Sequence, residues 1–455
     1  MLYYFSMKQS KQKKSSSPVR VLPIGFAVMI ALGTLLLMLP AASKEGAGLP
    51  FLSALFTATS ASCVTGLVVV DTGAYFSTFG QLVILLLIQL GGLGFMAAAS
   101  ILFVLIGKRI SLSERLALAE SFGETQLQGI VRLAVSAVAV TFACELLGAA
   151  LLCIRFIPAY GAGRGVYYAI FHAVSAFCNA GFDLLGGYTS FTGYAGDPLV
   201  CGVLMALIVT GSLGFAVILN AGRKRRFKRL RLHSKIVLCA TAVLLLGGAL
   251  LILLFEYRNP ATLGALPFSQ KLLASLFQSV TFRTAGFNTI DQTALRDATK
   301  LLGCVLMLVG GAPAGTAGGL KLTTFITLLC AVRAQLHGRR DVELFCRRIS
   351  ETTVRRALCI LTIGLLLATA GVMGVSLLED GSGFSFLDQA YEVISALCTV
   401  GVSVGVTGAA CSGTRVLLIL LMFAGRVGML TIALSLTAQR DDEGVRLPEE
   451  EILLG

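Results

Sequence analysis

Eight long apolar runs constrain the fold of this chain more than any other feature of its sequence. They cover residues 21–41, 76–106, 129–155, 197–221, 236–256, 299–332, 357–378 and 413–438. Each run is long enough to cross a membrane as a helix, which takes roughly 20 apolar residues. Charged residues make up only 13% of the 455 residues, too few to cover the surface of a soluble protein of this length. The sequence therefore predicts an all-α integral membrane protein, in which the first run is an anchor because no small-residue cleavage site follows it.

Lysine and arginine are concentrated in the N-terminal segment 1–20 and in two connections, 222–235 and 333–356. Loops rich in these residues stay on the cytoplasmic side, so we expect both termini of a multi-pass protein of the cytoplasmic (inner or plasma) membrane to be cytoplasmic. The net charge of +13 predicts contact with anionic membrane lipids on this side, with a docking surface for a cytosolic partner as the second interpretation. Nucleic acid is not an expected partner, because no folded soluble domain and no interleaved aromatic residues surround the basic runs.

Four short apolar stretches lie between paired runs, and each is too short to span a membrane. They read FLSALFTATSASCVTGL (51–67), YYAIFHAVSAFCNAGF (167–182), LLASLFQSVTFRTAGF (272–287) and AYEVISALCTVGV (390–402). Their shared glycines, Gly66, Gly181, Gly286 and Gly401, are 115, 105 and 115 residues apart, which indicates an internal repeat. Each repeat consists of a span, a half-helix, a glycine-ended loop and a second span. We expect four such pseudo-symmetric span–pore-helix–span repeats around one central pore per chain.

The repeat predicts the organisation of the whole chain. A cytoplasmic N-terminus (1–20) precedes repeat 1 (21–106), a cytoplasmic connection (107–128), repeat 2 (129–221), a basic loop (222–235), repeat 3 (236–332), a second basic loop (333–356), repeat 4 (357–438) and a cytoplasmic C-terminus (439–455). The half-helices would point their partly negative C-terminal ends toward the pore axis, which favours a cation there.

The four glycine-ended loops predict a cation filter built from backbone carbonyl groups. Rings of carbonyl oxygens replace the hydration shell of a passing ion, and glycine allows the backbone to turn them toward it. The candidate filter residues are Cys63, Val64, Thr65, Gly66, Cys178, Asn179, Ala180, Gly181, Arg283, Thr284, Ala285, Gly286, Cys398, Thr399, Val400 and Gly401. No ring of Asp or Glu accompanies the glycines, and the first and fourth loops are similar to half of the TVGYG filter, so potassium is the expected ion. We interpret Arg283 as a structural donor that ties loop carbonyls behind the filter, and Asn179 and Asn288 as polar lining groups.

The sixth apolar run is interrupted by GGAPAGTAGGLKL (310–322). Glycine and proline break a helix, and irregular backbone is tolerated at membrane depth only where it is buried in protein or lines a watery path. Lys321 directly follows this break, and Arg426 lies deep in the last run. Because a charge at this depth is costly, both side chains are expected to face the pore or a carbonyl group, with snorkelling toward the cytoplasmic interface as the second interpretation of Lys321. Glu145, in the third run, is a further intramembrane charge for which we expect only an interhelical contact.

These motifs resemble those of the Trk/Ktr/HKT superfamily of potassium uptake proteins over nearly the whole chain, from about residue 20 to 455. The segment GGAPAGTAGGLKL is similar to the family's GGSPGSTAGGIKT, and GRVGMLT (425–431) is similar to GRVGPLT. The short N-terminus and the terminal EEEILLG most resemble the Ktr-type membrane subunit. The resemblance implies four pore-helix repeats with one glycine per filter loop, potassium uptake driven by the membrane potential, and an intramembrane loop at 310–319 that obstructs the pore below the filter.

The resemblance also implies gate residues and partners. The implied gate residues are Gly310, Gly311, Pro313, Gly315, Thr316, Gly318, Gly319, Lys321 and Arg426, with Arg426 below the filter. A homodimer with one pore per protomer would sit on a cytosolic ring of Rossmann-type nucleotide-binding regulatory subunits. Nucleotide would bind that partner, and no cofactor is expected in this chain. K+ would be the transported ion, while channel and symporter, with Na+ or protons accompanying or activating the flow, both stay open.

Departures from the family pattern bear on gating and selectivity. Ala312 and Gly315 replace serines that are frequent in the family's loop, so a looser loop is expected. Cys63 replaces a hydroxyl residue in the first filter, so a looser ion selectivity is expected.

Two other functions remain open. A secondary transporter of another substrate, built on inverted repeats, would show two structural halves and not four similar loops. A membrane-embedded enzyme would need intramembrane clusters of His, Asp or Glu, which the sequence lacks, so no enzyme is expected.

Overall fold

The computed structural model describes residues 18–94, 115, 116, 118, 128–224, 226–428 and 431. Helices predominate in this part of the chain. Three of the described helices are long and apolar enough to cross a membrane alone, and one bent pair of helices adds a fourth candidate span. The predicted connection 107–128 and both predicted terminal segments lie largely outside the described residues.

The described helices follow the apolar runs and the short stretches between them. In chain order they are α1 (Pro18–Leu37), α2 (Phe51–Ser62), α3 (Thr72–Tyr75), α4 (Thr78–Leu93), α5 (Ile130–Tyr160), α6 (Ala162–Phe177), α7 (Pro198–Ser212), α8 (Phe215–Lys224), α9 (Leu232–Glu256), α10 (Phe268–Thr281), α11 (Asp297–Leu308), α12 (Leu322–Leu336), α13 (Glu351–Leu378), α14 (Phe386–Leu397), α15 (Val406–Ala409) and α16 (Ser412–Val427). The three long helices that can span alone are α5, α9 and α13.

Four short helices, α2, α6, α10 and α14, correspond to the four short apolar stretches. Their C-terminal halves are buried, as in α2, where every residue from Phe56 to Ser62 is inaccessible. The long helices instead expose large apolar side chains, with Leu146 74% and Leu377 79% exposed. Exposed apolar surface of this kind marks a face that contacts membrane. The short helices therefore lie inside the molecule, and the long helices separate them from lipid.

The second helix of a unit ends or bends at a glycine with positive φ. Gly94 (φ 82°) follows α4, Gly214 (φ 84°) separates α7 from α8, and Gly428 (φ 101°) follows α16. Helices α7 and α8 meet at 99°, so the predicted run 197–221 forms a bent pair of helices and not one straight helix. The bend follows from a close approach, because a methyl group on Gly214 would lie 2.5 Å from the Pro313 carbonyl oxygen. Residues 95–106 and 432–438 of the corresponding runs lie outside the described residues.

The third unit has a longer interruption at this depth. Helix α11 ends at Leu308 and α12 begins at Leu322, so the helix break predicted from GGAPAGTAGGLKL is present. Val309 and Leu320 form an isolated parallel bridge that closes the intervening segment into a compact loop. We call residues 309–321 the inner loop.

A small β-hairpin in the basic connection departs from the all-α prediction. Strands β1 (Val342–Leu344) and β2 (Arg347–Ile349) pair in antiparallel fashion, with Leu344 opposite Arg347. The two turn residues, Phe345 and Cys346, have φ values of 49° and 58°. Two successive left-handed residues match the twist of a two-residue hairpin turn. The connection 333–356 is therefore partly ordered secondary structure, and the all-α prediction is wrong at 342–349.

Candidate functional site

The four glycine-ended loops share one backbone conformation. We call 63–66, 178–181, 283–286 and 398–401 the glycine loops. The residue two positions before each glycine is left-handed, with φ of 56° at Val64, 59° at Asn179, 67° at Thr284 and 51° at Thr399. The glycines themselves have φ of 97° (Gly66), 71° (Gly181), 81° (Gly286) and 91° (Gly401). Left-handed backbone is unfavourable for residues with a Cβ, so its fourfold recurrence indicates that the surrounding structure imposes this shape.

The four glycines lie against one another. A methyl group on Gly66 would lie 2.6 Å from the Ala180 carbonyl oxygen, and one on Gly181 would lie 2.7 Å from the Cα of Gly286. A methyl group on Gly401 would overlap the Thr65 carbonyl oxygen. Every residue that the sequence analysis assigned to the filter lies in these loops and is buried. The fold thus brings backbone from four distant parts of the chain to one place.

A wide cavity lies on one side of the glycine loops. It has a volume of about 930 Å³, and Gly66, Gly181, Gly286 and Gly401 all belong to its lining. Asp71, Asp183, Asp291 and the predicted lining residue Asn288 also face it. Carboxylates in a concave site attract cations from solution. We call this cavity the vestibule.

Asp183 lies in the connection after the second glycine loop, outside the membrane-spanning helices. Burial, together with the neighbouring Asp71 carboxylate, raises the pKa of Asp183 to about 6, against the opposing effect of the hydrogen bond from the Leu185 N–H. Its carboxylate is therefore ionised above about pH 6 and gains a proton below it. The charge of the vestibule wall consequently depends on the pH of the solution that fills it.

Hydroxyl groups on the short helices hold the glycine loops. Six residues before the glycine, Ser60 accepts from the Gly66 N–H, Ser175 donates to the Phe182 carbonyl, and Ser395 both accepts from the Gly401 N–H and donates to the Val402 carbonyl. The third loop differs, because Thr281, five residues before Gly286, donates to the Phe287 carbonyl at 2.5 Å. These residues were not predicted from the sequence, although all four repeats have a serine or threonine five or six residues before the glycine.

A second contact ties the backbone after the glycine to the short helix in the second and fourth units. His172 Nε2 accepts the Leu184 N–H at 3.1 Å, and its Nδ1 lies 2.7 Å from the Tyr168 carbonyl oxygen. Because Leu184 can only donate, the proton of His172 is on Nδ1. Glu392 Oε2 likewise accepts the Val404 N–H at 3.2 Å. Each acceptor is nine residues before its glycine and each amide three residues after it, so the two contacts are equivalent in the repeat.

Glu392 receives three further hydrogen bonds. Its Oε1 accepts from the Ser403 hydroxyl at 2.6 Å, from the Thr407 N–H at 3.1 Å, and from the Thr407 hydroxyl. The side chain is fully buried. Four donors around one carboxylate match the ionised form, which has only acceptors. Glu392 therefore fixes the segment that follows the fourth glycine loop.

The inner loop is anchored to the bend between α7 and α8. The Ala312 N–H donates to the Ser212 carbonyl at 2.9 Å, and the Phe215 N–H donates to the Ala314 carbonyl at 3.0 Å. The Thr316 N–H donates to the Gly211 carbonyl at 3.1 Å. The bonds from Ala312 and Thr316 use carbonyl groups that α7 leaves unpaired at its C-terminal end, and the third bond uses the first N–H of α8. The bend at Gly214 and the inner loop therefore form one interlocked unit.

The inner loop also contacts the glycine loops, at residues that do not line the vestibule. Thr316 Oγ1 donates to the Phe177 carbonyl at 3.0 Å and lies 3.2 Å from Asn179 Oδ1. Asn179, predicted as a lining group, thus holds the inner loop and is not among the residues that face the vestibule. A methyl group on Gly318 would overlap the Thr399 hydroxyl, which shows how closely the two loops pack.

Arg283 connects the third glycine loop with the inner loop. Its Nη2 donates to the Gly310 carbonyl at 3.4 Å, while Nε and Nη1 are buried without a hydrogen-bond partner among the described residues. The interpretation that Arg283 ties filter carbonyls is therefore corrected, because its one described hydrogen bond goes to the inner loop. The one-residue shift at Thr281 distinguishes this loop from the other three.

Two basic side chains lie at the inner loop. Arg426 Nη1 donates to the Thr316 carbonyl, and its Nη2 donates to the Gly91 carbonyl and reaches the Gly92 carbonyl at 3.4 Å. Lys321 Nζ donates to the Ala317 carbonyl at 2.8 Å. Both cations therefore bind backbone carbonyls, as the cost of an unpaired charge at this depth requires. Arg426 joins the inner loop to the negative C-terminal end of α4.

Two further observations concern the packing around the site. Glu145 accepts from Gln89 Nε2 at 3.3 Å and from the Cys178 thiol at 3.8 Å, so the expected interhelical contact extends to the second glycine loop.

Three glycines lie close to the ends of the short helices. A methyl group on any of them would overlap the last carbonyl group of the neighbouring short helix, and these glycines are Gly91, Gly211 and Gly425. Each glycine begins a similar motif, GGLG, GSLG or GRVG, of which only the last was singled out from the sequence.

Comparisons with known proteins agree with this geometry. The family described as "TrkH: Cation transport protein" matches residues 2–443. The chain is 40% identical over 439 residues to the Ktr system potassium uptake protein B of Bacillus subtilis, covering 96% of this chain and 97% of that protein. It is 39% identical to the potassium/sodium uptake protein NtpJ of Enterococcus hirae, covering 99% and 100%. The crystal structure of the potassium transporter TrkH from Vibrio parahaemolyticus has the same fold, with a TM-score of 0.74, 17% identity, and coverage of 95% of this chain and 87% of that chain.

Proposed function

This chain belongs to the TrkH family of cation transport proteins, and from that premise we propose that it carries potassium across the membrane through one pore per chain. The resemblance read from the motifs at 310–322 and 425–431 is thereby confirmed. The observation that carries the proposal is the meeting of Gly66, Gly181, Gly286 and Gly401 at the base of an open vestibule. Four repeats of span, short helix, glycine loop and span arranged around this point account for it.

The glycine loops act as the selectivity filter. An ion collected by the vestibule carboxylates sheds its water and binds backbone carbonyl oxygens of the four loops, which replace its hydration shell. The C-terminal ends of the short helices add a negative potential at this point. The hydroxyls of the short helices, with His172 and Glu392, keep the loop backbone in place. Preorganised carbonyl groups favour an ion of one size, which is the source of discrimination between K+ and Na+.

The inner loop acts as the gate. It lies directly behind the glycine loops. The hydrogen bond that the Thr316 hydroxyl donates to Phe177 and the one that the Thr316 carbonyl accepts from Arg426 hold it across the path. The Arg426 guanidinium adds positive charge that opposes a cation at this place. Opening requires the loop to leave Asn179, Thr399 and Arg426 together. Transport then follows the membrane potential, which is worth about 2.3 kcal/mol per elementary charge and 100 mV.

Orientation and partners extend the same proposal. With the vestibule outside, the basic connections 222–235 and 333–356 and both termini face the cytoplasm. The hairpin 342–349 and the 222–235 connection join through Phe345 and Phe227, whose rings are 6.4 Å apart, and form one basic surface. A cytosolic regulatory subunit docks on this surface, and two copies of the chain form a homodimer. The name of the Enterococcus hirae relative supports sodium as a second ion, as coupled or activating cation.

Growth at low potassium in a strain without its own potassium uptake tests the proposal. The intact chain with its cytosolic partner restores growth, and Gly286→Ser reduces K+ over Na+ selectivity because a Cβ there lies 2.8 Å from the Gly181 Cα. Gly247→Ser is the matched control, since a Cβ at this helical glycine meets no atom within 4 Å. Rubidium uptake that is the same for both variants would show that the glycine loops are not the filter.

A further inference from the structure

A second cavity lies away from the proposed pore, where the ends of three helices meet. It has a volume of about 260 Å³ and lies between the start of α5, the end of α8 and the start of α9. Three arginines from these three elements line it, namely Arg132, Arg223 and Arg231. Asn220 fixes the position of Arg231, because its Oδ1 accepts the Arg231 N–H at 3.2 Å. The three cations thus converge from separate parts of the chain.

Among the described residues, the wall of this cavity has positive charge and no carboxylate. No Asp or Glu is among its lining residues, and none of the three guanidinium groups forms an ion pair with a described residue. Arg132 also lies in the first turn of α5, where the helix potential is positive and where no described acidic residue offsets it. The three arginines are exposed, so an anion from solution or from the membrane surface can reach them, and a bound anion offsets the repulsion between their like charges.

We propose that this cavity binds the phosphate group of a phosphate ester. Guanidinium groups bind phosphate oxygens through paired, charge-assisted hydrogen bonds, and three of them satisfy one phosphate. Apolar residues Leu133 and Leu219 line the same cavity, which suits a ligand with a carbon backbone beside its phosphate. The headgroup of an anionic phospholipid and a small soluble phosphate ester share this chemistry, and the site lies on the side that we propose to be cytoplasmic.

A ligand in this cavity bears on the gate, an inference that rests on the proposed function. Arg223 lies in the last turn of α8, and the first residue of that helix, Phe215, donates to the Ala314 carbonyl of the inner loop at 3.0 Å. A phosphate that binds Arg132, Arg223 and Arg231 together holds α8 against α5 and α9. It therefore fixes the bend at Gly214, to which the inner loop is anchored.

Native mass spectrometry of the full chain tests the binding site independently of transport. In nanodiscs that mix phosphatidylglycerol with phosphatidylcholine, the wild-type chain retains phosphatidylglycerol, and the triple variant R132Q/R223Q/R231Q retains about tenfold less. The matched control K228Q/R339Q/R340Q removes the same charge from exposed positions that lie on the same side but outside this cavity, and it leaves retention unchanged. Equal loss in both triple variants would show general charge attraction and overturn the site.

A second arm separates the lipid from a soluble ligand. In nanodiscs of phosphatidylcholine alone, glycerol 3-phosphate is titrated while the ³¹P signal is followed. Saturable binding that the R132Q/R223Q/R231Q variant abolishes assigns the site to a soluble phosphate ester. Binding of neither phosphatidylglycerol nor glycerol 3-phosphate overturns the proposal. Because the readout is binding, failure here leaves potassium uptake and the filter assignment untouched, whereas failure of Gly286→Ser to alter selectivity leaves the phosphate site untouched.

Discussion

Replacing Glu392 by glutamine tests how the fourth glycine loop is held. The carboxylate accepts four hydrogen bonds, from the Ser403 hydroxyl, the Val404 N–H, and the N–H and hydroxyl of Thr407. Glutamine has nearly the same shape, but one of its terminal atoms is an amide nitrogen that donates and cannot accept. At least one buried donor after the glycine loop therefore loses its acceptor in Glu392→Gln.

The expected size of the effect follows from this lost acceptor. A buried donor without a partner costs about 1–3 kcal/mol, and the segment 402–407 relieves part of that cost by moving. Gly401 is only one residue before this segment, so the movement loosens the carbonyl geometry of the fourth loop. A change of about 1.4 kcal/mol in the relative binding of K+ and Na+ corresponds to a tenfold change in their affinity ratio. We therefore expect Glu392→Gln to lower K+ over Na+ selectivity by about tenfold.

Competition between Na+ and K+ for rubidium uptake into proteoliposomes measures this ratio. Glu256→Gln is the matched control, because Glu256 is also fully buried and accepts four hydrogen bonds, from Asn259, Thr262, Arg296 and Thr299. Glu256 is the last residue of α9, where it contacts the start of α11, and it does not lie behind a glycine loop. Both variants are expected to lose thermal stability, and only Glu392→Gln is expected to lose selectivity. Selectivity that stays within twofold of wild type in a folded Glu392→Gln protein would refute the reasoning.

Two other perturbations have defined outcomes. Arg426→Gln removes the charge that binds the Thr316 and Gly91 carbonyls, so the basal rubidium leak is expected to rise several-fold. Arg415→Gln, on the same helix, is the control and is expected to leave the leak unchanged. An equal leak in both variants would contradict the assignment of the inner loop as the gate. Lowering the external pH through about 6 protonates Asp183, whose pKa is raised, and reduces uptake at low K+ by about two- to fivefold. Asp183→Asn is expected to have the reduced uptake rate already at neutral pH and to lose the pH dependence of uptake. A wild-type pH profile in Asp183→Asn would contradict this role of Asp183.

The sequence predicted the apolar framework and the recurring glycine loops because these depend on local patterns. Helix α9 covers Leu232–Glu256, close to the predicted run 236–256. The interruption after Leu308 followed from the helix-breaking glycines and proline. The same pattern of glycines in GSLG (211–214) did not stand out, because it lies between strongly apolar residues that favour a continuous helix. What bends the chain at Gly214 is a contact with the inner loop, about 100 residues away in sequence.

The residues missed at the site depend on contacts that no local pattern contains. His172 and Glu392 are single polar residues on mostly apolar short helices, and their partner amides follow only after the chain has turned back. Arg283 donates to a carbonyl group of the inner loop, 27 residues further along the chain, and no local pattern contains this contact. The hairpin turn at Phe345 and Cys346 lacks the glycine or asparagine that usually marks such a turn.

Anomalous diffraction from crystals soaked in thallium, a heavy substitute for potassium, tests the central claim most directly. The account predicts anomalous peaks at the base of the vestibule, within coordination distance of backbone carbonyl oxygens from all four glycine loops. Thallium bound only at the vestibule carboxylates, or at carbonyl groups from fewer than four of these loops, would contradict it.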